Sequence, residues 1–139
     1  MKAFRPGWGS IVTGLVTRRS AQGVQETVAA IRDQAEQRGA SVVAVFDHAA
    51  AAEAVGLTLP ATQVIIFGNP KVGTPLMQAT PEIAIDLPLR VLIRDDGRPG
   101  SLVTWQDPAY VRDRFGLHDE QLTPLTTPGT LVAAVLDGD

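Results

Sequence analysis

The stretch from Thr62 to Arg90 reads T-Q-V-I-I-F-G-N-P-K-V-G-T-P-L-M-Q-A-T-P-E-I-A-I-D-L-P-L-R, and the organisation of the chain turns on it. It joins the most continuous apolar run, Val64-Ile65-Ile66-Phe67, to the densest punctuation: Gly68-Asn69-Pro70, Gly73-Thr74-Pro75, Thr80-Pro81 and Leu87-Pro88. A short apolar run bounded by turn residues predicts a buried strand, here Thr62 to Phe67, that ends in a tightly prescribed loop. Thr74-Pro75 and Thr80-Pro81 each set a capping hydroxyl before a proline suited to the first helical position, so two short helical turns are expected. Pro88 should end the second, because the residue before a proline is driven out of the α region.

Upstream, Ser10 to Thr17 is rich in β-branched residues and predicts a first strand, with Pro6, Gly7 and Gly9 making residues 1–9 a loose lead-in. Val24, Val28, Ile31 and Ala35 recur at helical spacing, with Ser20 as the expected cap and Gly39 as the left-handed terminus. Ser41 to Asp47 (S-V-V-A-V-F-D) lacks polar alternation, as in a strand covered on both faces, or on one face with a dimer contact on the other. Asp47 then caps a short alanine-rich helix that begins at His48 and stops at Gly56. Downstream, Leu89–Arg94 and Leu102–Trp105 flank Asp95-Asp96-Gly97-Arg98-Pro99-Gly100, the pattern of an antiparallel hairpin. Asp107-Pro108 and Thr127-Pro128 open two further helices, and Leu117 to Thr126 is expected as a loop. The sum is an α+β domain over residues 1–139, with a mainly antiparallel sheet of about five strands and helices packed against it.

Composition narrows the functions. With 45% apolar and 19% charged residues in 139, the chain can support one core. It has no cysteine, which removes disulfides, thiolate nucleophiles and thiolate metal sites. The formal charge is -3 and no basic run exceeds Arg18-Arg19, so a nucleic-acid partner is not expected. No segment has the roughly 20 apolar residues of a membrane span, and Pro6 to Ser10 follow Lys2 and Arg5 where a signal sequence needs an apolar stretch. The expected setting is the cytoplasm, away from the membrane.

Five strings, F-D-H at 46–48, F-G-N-P at 67–70, G-T-P-L-M at 73–77, I-D-L-P-L at 85–89 and W-Q-D-P at 105–108, fall in an order that resembles the family catalogued as domain of unknown function 302. The resemblance runs from about the first strand to Leu117. It implies a fold like that of the TATA-binding protein, a homodimer, and no established activity. The matching positions are His48, Phe67, Gly68, Asn69, Pro70, Gly73, Thr74, Leu76, Met77, Asp86, Leu87 and Pro88, with Trp105 at an aromatic position.

Four residues are candidates for a ligand site: His48, Asn69, Thr74 and Asp86. His48 stands where a strand feeds a helix, and could act as a base or settle into the core on a carbonyl or on Asp86. Asn69 could donate into a pocket or close an Asx turn. Asp86, among apolar neighbours, needs a partner, either loop N–H groups or His48 as a general-base pair. Gly73-Thr74-Pro75 could offer a helix N-terminus to an anion but lacks the glycine spacing of a phosphate loop. His118 is read as surface. Three functions remain open: a non-catalytic module that binds a small ligand or dimerises, a small enzyme built on His48 and Asp86, and non-covalent haem binding through His48, with Met77 as a possible second ligand. No metal site is expected. A single site holding all four residues requires the end of the second strand and the bend after the third to meet, bringing the imidazole and the carboxylate together.

Overall fold

The computed structural model describes residues 12–138. The expected lead-in at residues 1–9 and the start of the first strand lie outside them. Strands β1 (Leu15–Ser20), β2 (Ser41–Asp47), β3 (Thr62–Gly68), β4 (Leu89–Arg94) and β5 (Ser101–Gln106) form one sheet in the order β1-β5-β4-β3-β2, every neighbouring pair antiparallel. The helices are α1 (Val24–Gln37), α2 (His48–Ala54), α3 (Pro70–Ala79), α4 (Pro108–Phe115) and α5 (Thr127–Asp137), with 3₁₀ turns at Pro81–Asp86, Asp119–Gln121 and Thr123–Thr126.

Strands β1 and β2 are opposite edges of the sheet, so α1, which joins them, must cross it. Four interstrand steps span roughly 19 Å. Fourteen helical residues span about 21 Å, so the helix is long enough for the passage. Its apolar stripe, Val24, Val28, Ile31 and Ala35, packs on Ile65, Phe67, Val91, Ile93, Val103 and Trp105 of the sheet and on Leu131 and Val132 of α5. A second cluster, Leu76, Ile83, Val111, Leu117 and Leu125, joins α3, α4 and the 3₁₀ turns.

The helix ends follow local chemistry. Gly39, at φ +83°, ends α1 in a Schellman turn: Ala40 N–H donates to the Ala35 carbonyl and Gly39 N–H to that of Glu36. Asp47 caps α2 by accepting from Ala50 N–H at 2.9 Å, and Asp107 caps α4 by accepting from Ala109 N–H at 3.0 Å.

Three expectations need correction. Ser20 does not cap α1: it is the last residue of β1, and Gly23 occupies the cap. The Ser20 hydroxyl is instead buried, 2.8 Å from Thr27 Oγ1. Thr74-Pro75 starts no helix. Asn69 caps a single α3 with Pro70 in its first turn, and Pro75 lies inside it, on an exposed turn where a missing N–H is tolerated. Finally, β2 is not covered on both faces. It is an edge strand with a register shift between Val42 and Ala44, leaving Val43 and Phe46 63% and 49% exposed. Its unbroken apolar run reflects one face on the core and one face open.

Candidate functional site

Strand β3 delivers the site. At its end Phe67 is fully buried, and the chain passes through Gly68 into the Asn69 cap of α3. Opposite lie the Arg38–Ser41 turn that ends α1, the Leu87–Leu89 segment entering β4, and the first turns of α5. Between them is a cavity of about 600 Å³, within the roughly 300–1,000 Å³ typical of small-molecule sites. It exists because Ala35, Ala40, Ser41, Gly68 and Gly73, all on its wall, bring little side chain to it. Leu76, Met77, Leu87, Leu89 and Leu131 make the rest largely apolar, and Arg38 is the single charged residue on it among the described residues.

Asn69 and Thr74 both line this cavity. The Asn69 carboxamide oxygen accepts from Lys71 N–H at 3.1 Å, and its backbone carbonyl accepts from Val72 and Gly73 N–H at 2.9 and 2.8 Å. With proline at the first position, the amides at the head of α3 are used internally, and no anion cradle remains there. Gly73 and Thr74 sit inside the helix.

Asp86 is elsewhere. Its side chain, 12% exposed, accepts from Arg114 Nη1 at 3.2 Å and lies 3.6 Å from Arg90 Nη2. It ties a 3₁₀ turn to β4 and α4, with arginines in place of the loop amides or imidazole expected. The void beside it, about 20 Å³, is no larger than a single water.

His48 is at the other end of the sheet. Strands β2 and β3 are antiparallel, with Asp47 opposite Gln63 and Ser41 opposite Gly68, so the end of β2 meets the beginning of β3. Six strand residues, roughly 20 Å, separate that end from the cap of α3. His48 is exposed and packs edge-on against Phe46, ring centroids 4.7 Å apart. The structure therefore brings Asn69 and Thr74 together and leaves His48 and Asp86 apart from them and from each other. Neither a His48–Asp86 base nor a His48–Met77 haem pair is assembled.

Arg38 was not among the sequence candidates. The available signal was an arginine just before a helix-ending glycine, followed by the small pair Ala40-Ser41; it marks a cation beside a wall with room behind it.

The fold and cavity define a small α+β domain with one antiparallel sheet and a ligand-sized recess at the margin of β2 and β3. The family profile described as Domain of unknown function DUF302 matches residues 16–127, and the chain belongs to that family. A crystal structure described as an uncharacterized conserved protein DUF302 from Bacillus stearothermophilus superposes with a TM-score of 0.75 at 15% identity, covering 91% of this chain and 98% of that one. That likeness establishes the fold alone. Among curated proteins, the Fluoride-specific ion channel FluC 1 of Brucella suis biovar 1 (strain 1330) is 42% identical over 113 residues, 81% of this chain and 44% of that protein. FluC 1 of Brucella abortus biovar 1 (strain 9-941) is likewise 42% identical over 113 residues, which is 42% of its length. The chain thus spans less than half the length of these relatives. No helix among the described residues is long and apolar enough to cross a membrane.

Proposed function

We propose that this chain is a non-catalytic ligand-binding module whose site is the recess between α3, the end of α1 and the start of α5. The observation that carries this reading is the apolar cavity of about 600 Å³ with Asn69 and Thr74 on its wall. A neutral apolar fluorophore, N-phenyl-1-naphthylamine, tests it. The fluorophore should brighten on binding, and Thr74→Phe, which places a ring at an exposed wall position, should weaken it by roughly tenfold, a loss of about 1.4 kcal/mol. A probe that stays dark with the wild-type chain, or binds the variant equally well, would remove the assignment.

The Brucella relatives favour a setting for the module. They are named as fluoride-specific ion channels, yet the segment they share with this chain is under half their length. Helix α1, at 14 residues the longest described, spans about 21 Å against a hydrocarbon core of roughly 30 Å. We read the shared segment as a ligand-sensing accessory domain outside the bilayer, on the cytoplasmic side. The free edge of β2, with Val43 and Phe46 exposed, supports assembly as a homodimer by strand pairing; sedimentation as a monomer at high concentration would exclude it.

A further inference from the structure

We infer that the ligand is a free single-chain amphiphile with one acidic head, its tail in the recess and its head against Arg38. This rests on the cavity being a ligand site.

Charge complementarity carries the inference. Among the described residues the wall holds no aspartate or glutamate, and its single charge is the Arg38 guanidinium. Arg18, Arg19, Arg32, Arg90, Arg112 and Arg114 all pair with carboxylates. Arg38, like Arg94 and Arg98, has none among the described residues, and of these three only Arg38 lines the recess. Its hydrogen bond runs from Nε to Gln34 Oε1 at 3.4 Å, which leaves the terminal nitrogens of the guanidinium for an incoming acid.

The helix dipoles do not decide the matter alone. The end of α1 places partial negative charge at the recess, while the starts of α3 and α5 place partial positive charge there, so these partial charges largely offset and any balance favours an anion. The α1 carbonyls are already bonded within the Schellman turn. The full charge of Arg38 therefore sets the sign of the ligand. One cation and a spent set of α3 amides suit a monoanion such as a carboxylate, and do not suit a phosphate, which is recognised by several donors. For the tail, Leu76, Met77, Leu87 and Leu131 offer apolar surface, and the methionine adapts to the shape of a flexible chain.

The experiment uses three amphiphiles with the same tail, each below its micelle concentration, to displace N-phenyl-1-naphthylamine: dodecanoate, dodecanol and dodecyltrimethylammonium. With the wild-type chain, dodecanoate should displace the probe at about five- to tenfold lower concentration than dodecanol, the range expected for a charge-assisted bond at an exposed arginine. Arg38→Gln should erase that preference while dodecanol competes as before. Arg38→Glu should turn the preference toward dodecyltrimethylammonium. Both changes are at an exposed position and leave the core intact. Equal displacement by all three heads, or a dodecanoate preference that survives Arg38→Gln, would overturn the acidic-head assignment while leaving the cavity a ligand site. A wild-type chain that never binds the probe would overturn both.

Discussion

Helix α1 begins and ends in opposite corners of the same layer, and the two corners are built differently. At its start, beside the β1–β5 edge, Ser20, Thr27 and Ser101 are buried hydroxyls in mutual contact: Ser20 Oγ to Thr27 Oγ1 at 2.8 Å and Thr27 Oγ1 to Ser101 Oγ at 3.3 Å. Ser101 Oγ also donates to the Gln22 carbonyl at 2.9 Å, and Gln22 N–H donates to Ser20 Oγ at 3.1 Å. At its other end, beside β2 and β3, small side chains leave a void and an arginine with no carboxylate partner among the described residues. Buried polar groups with every partner present hold one geometry; an apolar void with a lone charge invites an occupant. One corner fastens the helix, and the other is available for binding.

The sharpest way to break this contrast is to add a single methyl to each corner. Gly100, on the fastened side, has φ +83°, and a Cβ there would fall 2.0 Å from the Ser20 carbonyl oxygen. Backbone cannot yield as a flexible side chain can, so Gly100→Ala should cost about 3 kcal/mol or more. Gly73, on the open side, would meet only Met77 Cε at 3.9 Å and Leu87 Cδ1 at 4.0 Å. Gly73→Ala should raise stability by about 0.5–1 kcal/mol through helix propensity. Urea unfolding measures both, and equal effects at the two positions would dissolve the distinction between the corners.

A smaller effect tests the hydroxyl knot itself. Thr27→Val keeps the shape and removes the oxygen shared by Ser20 and Ser101, at an expected cost of about 1–3 kcal/mol. Because the loss is confined to the start of α1, N-phenyl-1-naphthylamine should bind the variant as it binds the wild type. Weakened probe binding would mean that the two corners are coupled along the helix.

The two corners were also unequally visible in the sequence. Elements set by neighbours in the chain were legible: the Asp47 and Asp107 caps, the Gly39 terminus and the hairpin of β4 and β5 all depend on contacts within a few residues. The knot was not, because Ser20 as a helix cap and Ser20 as a buried partner of Ser101 look identical until β1 is paired with β5. Nor could proline punctuation show that α3 runs through Pro75, since the Asn69 cap three residues before Val72 already starts the helix. The candidate site divided along the same line. Asn69 and Thr74, on one helix, stayed together. His48 and Asp86 depended on strand direction, and antiparallel pairing of β2 with β3 sent the imidazole to the opposite end.

The smallest expected effect is electrostatic and sharpens the contrast at low pH. The fastened margin is tied by ion pairs: Arg18 donates to both Asp137 oxygens at 2.9 and 2.6 Å, and Arg19 donates to Asp96. Hydrogen bonding from these arginines is the main reason that both carboxyls sit below the ordinary carboxylate range. A carboxyl whose folded-state pKa is lowered contributes stability that is complete above its unfolded pKa and fades as pH falls through the folded value. Acid should therefore lower the melting temperature through these two groups, and Asp96→Asn and Asp137→Asn should each flatten the acid side of the profile. The Arg18–Asp137 pair is solvated and the Arg19–Asp96 pair partly so, so each change should be small, with Asp96→Asn the larger of the two. Arg38 has no such partner among the described residues, so affinity for the neutral naphthylamine should hold over the same pH range while the protein stays folded. An unchanged acid slope in both asparagine variants would mean that these arginines fasten nothing, and the stability of that margin would then rest on the buried hydroxyls alone.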